Sequence, residues 1–144
     1  PLNEILGRNA FDLDLLNELS LAYGEFEADT EARVAVVFGH GEHFTAGLDL
    51  VNASATLTEG WQAPPGGCDP WGVFAGPRVN KPVIVAAQGY CLTIGIELML
   101  AADINLCASN TRFAQMEVQR GILPFGGASP ICCNSDSSAH LAEP

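Results

Sequence analysis

Apolar residues recur at helical spacing near the start of the chain. Leu16, Leu19, Tyr23 and Phe26 fall on one face of a helix predicted over residues 11–28. Asp12 stands where an N-cap belongs, and Gly24 weakens the pattern slightly. The β-branched run Arg33-Val34-Ala35-Val36-Val37-Phe38-Gly39 then predicts a buried strand that ends at glycine. Residues 52–80 carry Pro64, Pro65, Pro70 and Pro77, several glycines and both tryptophans, which predicts a long loop or partly helical excursion over a pocket. Lys81-Pro82 introduces a second apolar strand over 83–87, and Gly89 breaks it. Residues 95–102 predict a buried helix closed by Asp103, and 104–108 a third strand. Alternation of strand and helix predicts an α/β fold with parallel strands. Residues 129–144 have no clear period; their polar run Asn134-Ser135-Asp136-Ser137-Ser138 predicts a disordered tail or a foreign terminus.

Composition changes this picture little. Of 144 residues, 48% are hydrophobic and 16% charged, enough apolar surface for one domain with a real core and too little charge for a disordered chain. No apolar run approaches a membrane span, and the N-terminus, which begins at Pro1, shows no signal-peptide pattern. The net charge of −11 opposes non-specific binding to nucleic acid or to an anionic membrane. A phosphate-bearing ligand therefore needs a local basic patch, for which Arg8, Arg78, Lys81, Arg112 and Arg120 are the candidates. Five cysteines form neither a CxxC pair nor a zinc-like cluster with His40, His43 or His140, so no metal is expected. Cys91 and Cys107 lie in apolar segments and read as small core residues in a reduced, cytoplasmic setting.

The candidate chemistry centres on two acids. Glu97 follows Gln88-Gly89-Tyr90-Cys91-Leu92-Thr93-Ile94-Gly95-Ile96, and Glu117 follows Arg112-Phe113-Ala114-Gln115-Met116. Two carboxylates in apolar or backbone-rich surroundings suit proton transfer in both directions. Ahead of Glu97 a strand turns into a helix, whose first N–H groups lack intrahelical partners and carry the positive end of the dipole. Those donors, with one from the Ala46-Gly47 turn, suit a developing oxyanion. The plainer readings stay open: Glu97 as an electrostatic cap, Asp49 and Asp103 as caps, and Trp61 and Trp71 as core cover rather than pocket wall.

Several segments occur in a telling order. They are Arg8-Asn9-Ala10-Phe11-Asp12, Phe44-Thr45-Ala46-Gly47-Leu48-Asp49-Leu50, Lys81-Pro82-Val83-Ile84 and Gln88-Gly89-Tyr90. After these come Glu97-Leu98-Met99-Leu100-Ala101-Ala102-Asp103-Ile104, Phe113-Ala114-Gln115-Met116-Glu117-Val118 and Gly121-Ile122-Leu123-Pro124-Phe125-Gly126-Gly127-Ala128. In this order the chain resembles the crotonase family, the enoyl-CoA hydratase/isomerase group. The resemblance implies an α/β spiral core of repeated ββα turns over residues 1–128, incomplete at the C-terminus, with 129–144 as an atypical tail. It implies an oxyanion hole from the backbone N–H groups of Ala46 and Ile94, and Glu97 and Glu117 as the acid/base pair. By position it further implies substrate contacts from Arg8, Phe44, Leu48 and Asp49. Thr93-Ile94-Gly95 stands where the family has a run of glycines, so Ile94 is expected to narrow the pocket.

What the resemblance implies for function is a lyase that adds water to a 2-enoyl-CoA thioester in fatty acid metabolism. Its alternatives are an isomerase or a carbon–carbon hydrolase of the same family, or a non-catalytic fragment or interaction protein. Coenzyme A enters as part of the substrate, with no separate cofactor. The expected assembly is a homotrimer or hexamer, with no nucleic-acid or membrane partner. Loss of the family pattern after Ala128 points to truncation or a reading-frame change.

Overall fold

A computed structural model describes residues 9–52, 60–117, 119 and 121. The first helix, α1, spans Leu13–Ala28. Asp12 caps it as its sequence position predicts, its side chain accepting from the Leu15 N–H at 2.9 Å. Leu16, Ser20 and Tyr23 make the buried stripe, and burial pushes the Tyr23 hydroxyl pKa above its ordinary value.

Strand β1 is Ala35–Phe38, β2 Val83–Ala87 and β3 Tyr90–Leu92; helix α2 is Ile94–Ala101, followed by β4 Ile104–Cys107 and β5 Arg112–Ala114. They form two parallel sheets, β1-β2-β4 and β3-β5. Each rung of the first sheet leads, after a short turn, into the second. β2 passes through Gln88 and Gly89 into β3, and β4 passes through residues 108–111 into β5. The segment after β1 does the same more briefly, where Thr45 bridges Cys91 in parallel. Phe38, Ala86 and Leu106 are aligned in one sheet; Cys91 and Phe113 are aligned in the other. Repeated strand–turn–strand coils of this kind, with α2 packed against β3, are the spiral of ββα units that the resemblance implies.

The core lies on one side of the first sheet. Phe11, Leu16, Phe44, Val85, Cys91 and Leu98 belong to one buried cluster with Trp61 and Trp71. Burial pushes the Cys91 thiol up to about 12, so it stays protonated and inert at neutral pH, as a core cysteine should. Two sequence expectations need correction here. β1 is only half-buried, its residues alternating between the core and an open face, and β4 is exposed along its length. Cys107 is accordingly exposed rather than a core residue. The far face of the three-stranded sheet carries Val36, Phe38, Ile104 and Leu106, each more than half exposed, whereas Cys107 pairs with buried Ala87 on the core side and is exposed because β4 is the edge strand of the described sheet. An apolar run signals burial, but not which layer supplies it.

Residues 60–80 are irregular, in keeping with the proline pattern. They are tied down at both ends: the Ser20 hydroxyl donates to the Cys68 carbonyl at 2.7 Å, and the Glu27 carboxylate accepts from the Asn80 backbone and side-chain N–H groups at 3.0 Å each. Those Asn80 bonds hold the Glu27 carboxyl below its usual range. No helix among the described residues is long and apolar enough to cross a membrane. Arg8, Arg120 and the tail expected over 129–144 lie outside the described residues.

Candidate active site

Parallel pairing brings the candidate residues together. Thr45 donates its N–H to the Tyr90 carbonyl at 2.9 Å and accepts from the Leu92 N–H at 3.2 Å, so it lies beside β3. On the other side of β3, Leu92 is paired with Ala114 of β5, and the Thr93 N–H donates to the Ala114 carbonyl at 3.0 Å. All three segments run the same way and leave the sheet at their carboxyl ends. Ala46 follows Thr45, Ile94 opens α2 just after β3, and Glu117 follows β5. The crevice outside the carboxyl ends of parallel strands is where open α/β sheets bind ligands. A cavity of about 380 Å³ lies here, bordered by Ala46, Ile94, Glu97 and Glu117.

Local contacts fix each side of the cavity. The Thr45 hydroxyl donates to the Asn9 carbonyl at 2.7 Å and accepts from the Gly47 N–H at 3.0 Å. Phe11 donates to the Gly47 carbonyl and Asp49 to the Phe11 carbonyl, both at 2.8 Å, which holds the Ala46 turn against the chain entering α1. α2 starts close beside this turn: a Cβ on Gly95 would meet Thr45 Cγ2 at 2.3 Å, so only glycine lets the helix approach there. Neither the Ala46 nor the Ile94 N–H donates to an acceptor among the described residues. Both residues border the cavity, and Ile94 opens α2, whose N-terminus carries the positive end of the helix dipole.

The two acids are 2% and 6% exposed for Glu97 and Glu117 respectively. Glu97 sits in the first turn of α2. Glu117 is held from the strand side. With its amide nitrogen turned to the acid, Gln115 donates to both Glu117 carboxylate oxygens, at 2.7 and 2.9 Å. No Lys, Arg or His borders the cavity among the described residues.

The remaining sequence candidates separate. Leu48 and Asp49 border the cavity. The Asp49 carboxylate also accepts from the Val51 N–H at 3.0 Å and from the Asn52 amide at 2.7 Å, so it serves as a local cap as well. Phe44 is buried in the core and does not border this cavity. Trp61 and Trp71 prove to be both core and wall, being buried and bordering the cavity with Phe74. Ile94 borders it too, and its carbonyl accepts from the Trp71 indole N–H at 3.3 Å.

Three residues were not signalled by sequence reasoning. Asp69 is buried and its carboxylate accepts from the Trp71 N–H at 2.9 Å and the Phe74 N–H at 2.7 Å, organising the aromatic wall. Asp69-Pro70-Trp71 is an Asx-turn signature that gave the available clue. Gln115, two residues before Glu117, gave none. Thr93 precedes α2 with a φ of 49° and a buried hydroxyl that has no hydrogen-bond partner among the described residues.

The family profile described as enoyl-CoA hydratase/isomerase matches residues 2–135. A carnitinyl-CoA dehydratase of Citrobacter koseri is 42% identical over 124 residues, which cover 83% of this chain and 45% of that protein. Among solved structures, a probable enoyl-CoA hydratase/isomerase from Mycobacterium abscessus superposes with a TM-score of 0.86 at 50% identity, covering 90% of this chain and 50% of its own. An enoyl-CoA hydratase from Mycobacterium tuberculosis H37Rv gives 0.72 at 30% identity, with 92% and 52% covered. The chain thus spans about half the length of the relatives it matches.

Proposed function

Because the chain belongs to the enoyl-CoA hydratase/isomerase family, we propose that this cavity binds a 2-enoyl-CoA thioester and catalyses reversible addition of water to it. The observation that carries this reading is the meeting of two buried acids with two backbone donors, unpaired among the described residues, on one cavity. In the hydration direction, one glutamate takes a proton from water as its oxygen bonds to the β-carbon. The alkene electrons move toward the thioester carbonyl, and the resulting enolate oxygen is held by the Ala46 and Ile94 N–H groups. The partner glutamate delivers a proton to the α-carbon, so that one water is added across the double bond.

Each group has its place in this scheme. Gln115 keeps the Glu117 carboxylate in one orientation, and the apolar surroundings of both acids exclude bulk water. The acyl chain runs toward Leu48, Trp61 and Trp71, and coenzyme A arrives on the substrate, with no further cofactor. An isomerase needs only one acid to move a proton along the acyl chain, so two acids on one cavity favour hydration or its reverse. The dehydratase name carried by a relative points the same way.

A hydration assay on a panel of 2-enoyl-CoA thioesters tests the proposal. Glu97→Gln and Glu117→Gln are each expected to lower kcat by about 100-fold or more, the usual scale for losing a general acid or base. Turnover that is absent from the parent chain, or unmoved by either substitution, overturns it and leaves a family core without this reaction.

A further inference from the structure

The two backbone donors at the cavity come from distant parts of the chain, and one side chain spans the gap between them. Ala46 lies on the turn after Thr45, whereas Ile94 opens α2. Thr93 stands at the junction. Its main chain leads straight into Ile94, and its hydroxyl rests on Gly47, the residue after Ala46. A Cβ built on Gly47 would meet Thr93 Oγ1 at 2.4 Å but Thr93 Cβ and Cγ2 only at 3.5 Å, so the oxygen makes the close contact. That hydroxyl is buried with no hydrogen-bond partner among the described residues, so it meets Gly47 by shape alone. Ala46, Thr93 and Ile94 all border the cavity.

The Thr93 backbone makes that contact consequential. Its φ of 49° and ψ of −112° match the first central position of a type II′ turn, which glycine adopts readily and threonine does not. The angle ψ is the rotation about the Cα–C bond, and the peptide that follows is planar. Its value at Thr93 therefore sets the direction of the Ile94 N–H. The oxygen end of the same peptide is held by α2, where the Thr93 carbonyl accepts from the Ile96 and Glu97 N–H groups at 2.9 and 3.3 Å. No backbone hydrogen bond among the described residues joins residues 93–95 to Ala46 or Gly47. The Thr93 side chain is the contact that relates one donor to the other.

We propose that Thr93 is a positioning residue for these donors: its hydroxyl sets the spacing between the Ala46 turn and the start of α2, and its backbone holds the Ile94 N–H in one direction. The inference rests on the reading of Ala46 and Ile94 as donors to the enolate oxygen. Donors that must converge on one oxygen are worth most when fixed beforehand, because no reorganisation then falls on the reaction. Glycine would take the same angles without strain but would also visit others, leaving the Ile94 N–H less fixed. Strain of this kind persists where surrounding structure over-determines it, and it collects at sites that need preorganised groups. Thr93 acts through the peptide it begins and the turn it props, not on the reacting atoms.

Three variants separate the parts of this role. Thr93→Ala keeps Cβ and removes the oxygen, Thr93→Gly also frees the backbone, and Thr93→Ser keeps the oxygen without the methyl group. Amide nitrogen relaxation in the free protein reads the order of the Ile94 and Ala46 N–H groups without any substrate. The Ile94 order parameter is expected to fall from about 0.85 toward about 0.6 in Thr93→Ala and Thr93→Gly, and to recover in Thr93→Ser. Difference infrared spectra of bound 2-butenoyl-CoA, isotope-labelled at the thioester carbonyl, then read how far the donors polarise that carbonyl. In Thr93→Ala and Thr93→Gly its downward shift is expected to shrink by about half, with kcat about tenfold lower and KM within about twofold, a fraction of the loss of a whole donor. Thr93→Ser is expected to restore both readouts.

Unchanged amide order in Thr93→Ala and Thr93→Gly overturns the inference, whatever the activity. Loosened amides with an unmoved carbonyl stretch and kcat also overturn it and leave Thr93 a packing role alone. Loss in Thr93→Ser equal to that in Thr93→Ala removes the hydroxyl as the spacer and ends the proposal. If the parent chain binds no thioester, the proposed function fails, and amide order decides the inference by itself. Loss in the alanine and glycine variants with recovery in serine then sustains Thr93 as the residue that fixes the two N–H groups.

Discussion

Thr93 carries two local costs at one position. Its φ of 49° and ψ of −112° lie in a backbone region that side chains rarely occupy, and its hydroxyl is buried without a partner among the described residues. Strain of this kind is worth about 1–3 kcal/mol, and an unmade buried hydrogen bond a similar amount. Against these stands the packing of the side chain on Gly47, where an added Cβ would meet Thr93 Oγ1 at 2.4 Å. Thr93→Gly is therefore expected to raise stability by about 1–2 kcal/mol, seen as a higher urea midpoint with an unchanged slope. A lower midpoint would show that the Thr93–Gly47 contact outweighs strain and the orphaned hydroxyl together. The sequence marked this residue only as a departure from the glycines of related chains. Backbone angles at one residue follow from how β3, β5 and the Ala46 turn converge, and no local pattern encodes that.

Among the elements, α1 shows how a weak sequence signal acquires a cause. Gly24 interrupts a helical pattern where alanine would be preferred by about 1 kcal/mol. The loop backbone crosses the helix at that point, so a Cβ on Gly24 would sit 1.9 Å from the Gly66 carbonyl oxygen. Both sides of that contact are main chain, and Ser20 ties the same crossing through Cys68. Gly24→Ala is expected to destabilise the fold by about 1–2 kcal/mol, overpacking outweighing the gain in propensity. Glu25→Ala, on the exposed side of the helix, is expected to change little; a thermal or urea midpoint that rises in Gly24→Ala would refute the crossing as the reason for glycine. Helix and strand positions were legible because their periods are local, and β2 begins and ends at the predicted residues. The site was legible only in parts. Glu97 and Glu117 announced themselves as acids in apolar frames, but their meeting depends on the registers Thr45 with Cys91 and Leu92 with Ala114. Register between segments distant in sequence is set by packing, which one sequence does not display.

At the scale of the whole molecule, the sheet β1-β2-β4 packs on the core on one side of β1 and β2 and is open on the other. Val36, Ile84 and Ile104 are aligned across it, as are Phe38, Ala86 and Leu106, giving an apolar face two rows deep. Phe38 and Leu106 are 58% and 56% exposed. Contiguous apolar surface of this kind associates or aggregates, and β1 and β4, the edges of this sheet among the described residues, add backbone groups that can recruit another strand. A net charge of −11 opposes that association through repulsion, which salt weakens. The isolated chain is accordingly expected to bind a hydrophobic dye such as ANS and to self-associate more as ionic strength rises, seen by light scattering. Phe38→Thr combined with Leu106→Thr keeps strand propensity while removing the largest exposed side chains of the lower row, and is expected to reduce dye binding and scattering severalfold. Trp61 and Trp71 lie away from this face, among the buried core residues, so their fluorescence should stay unchanged and certify the fold. Dye binding and scattering unmoved in the double variant, with the tryptophan signal intact, would place the sticky surface elsewhere on the molecule.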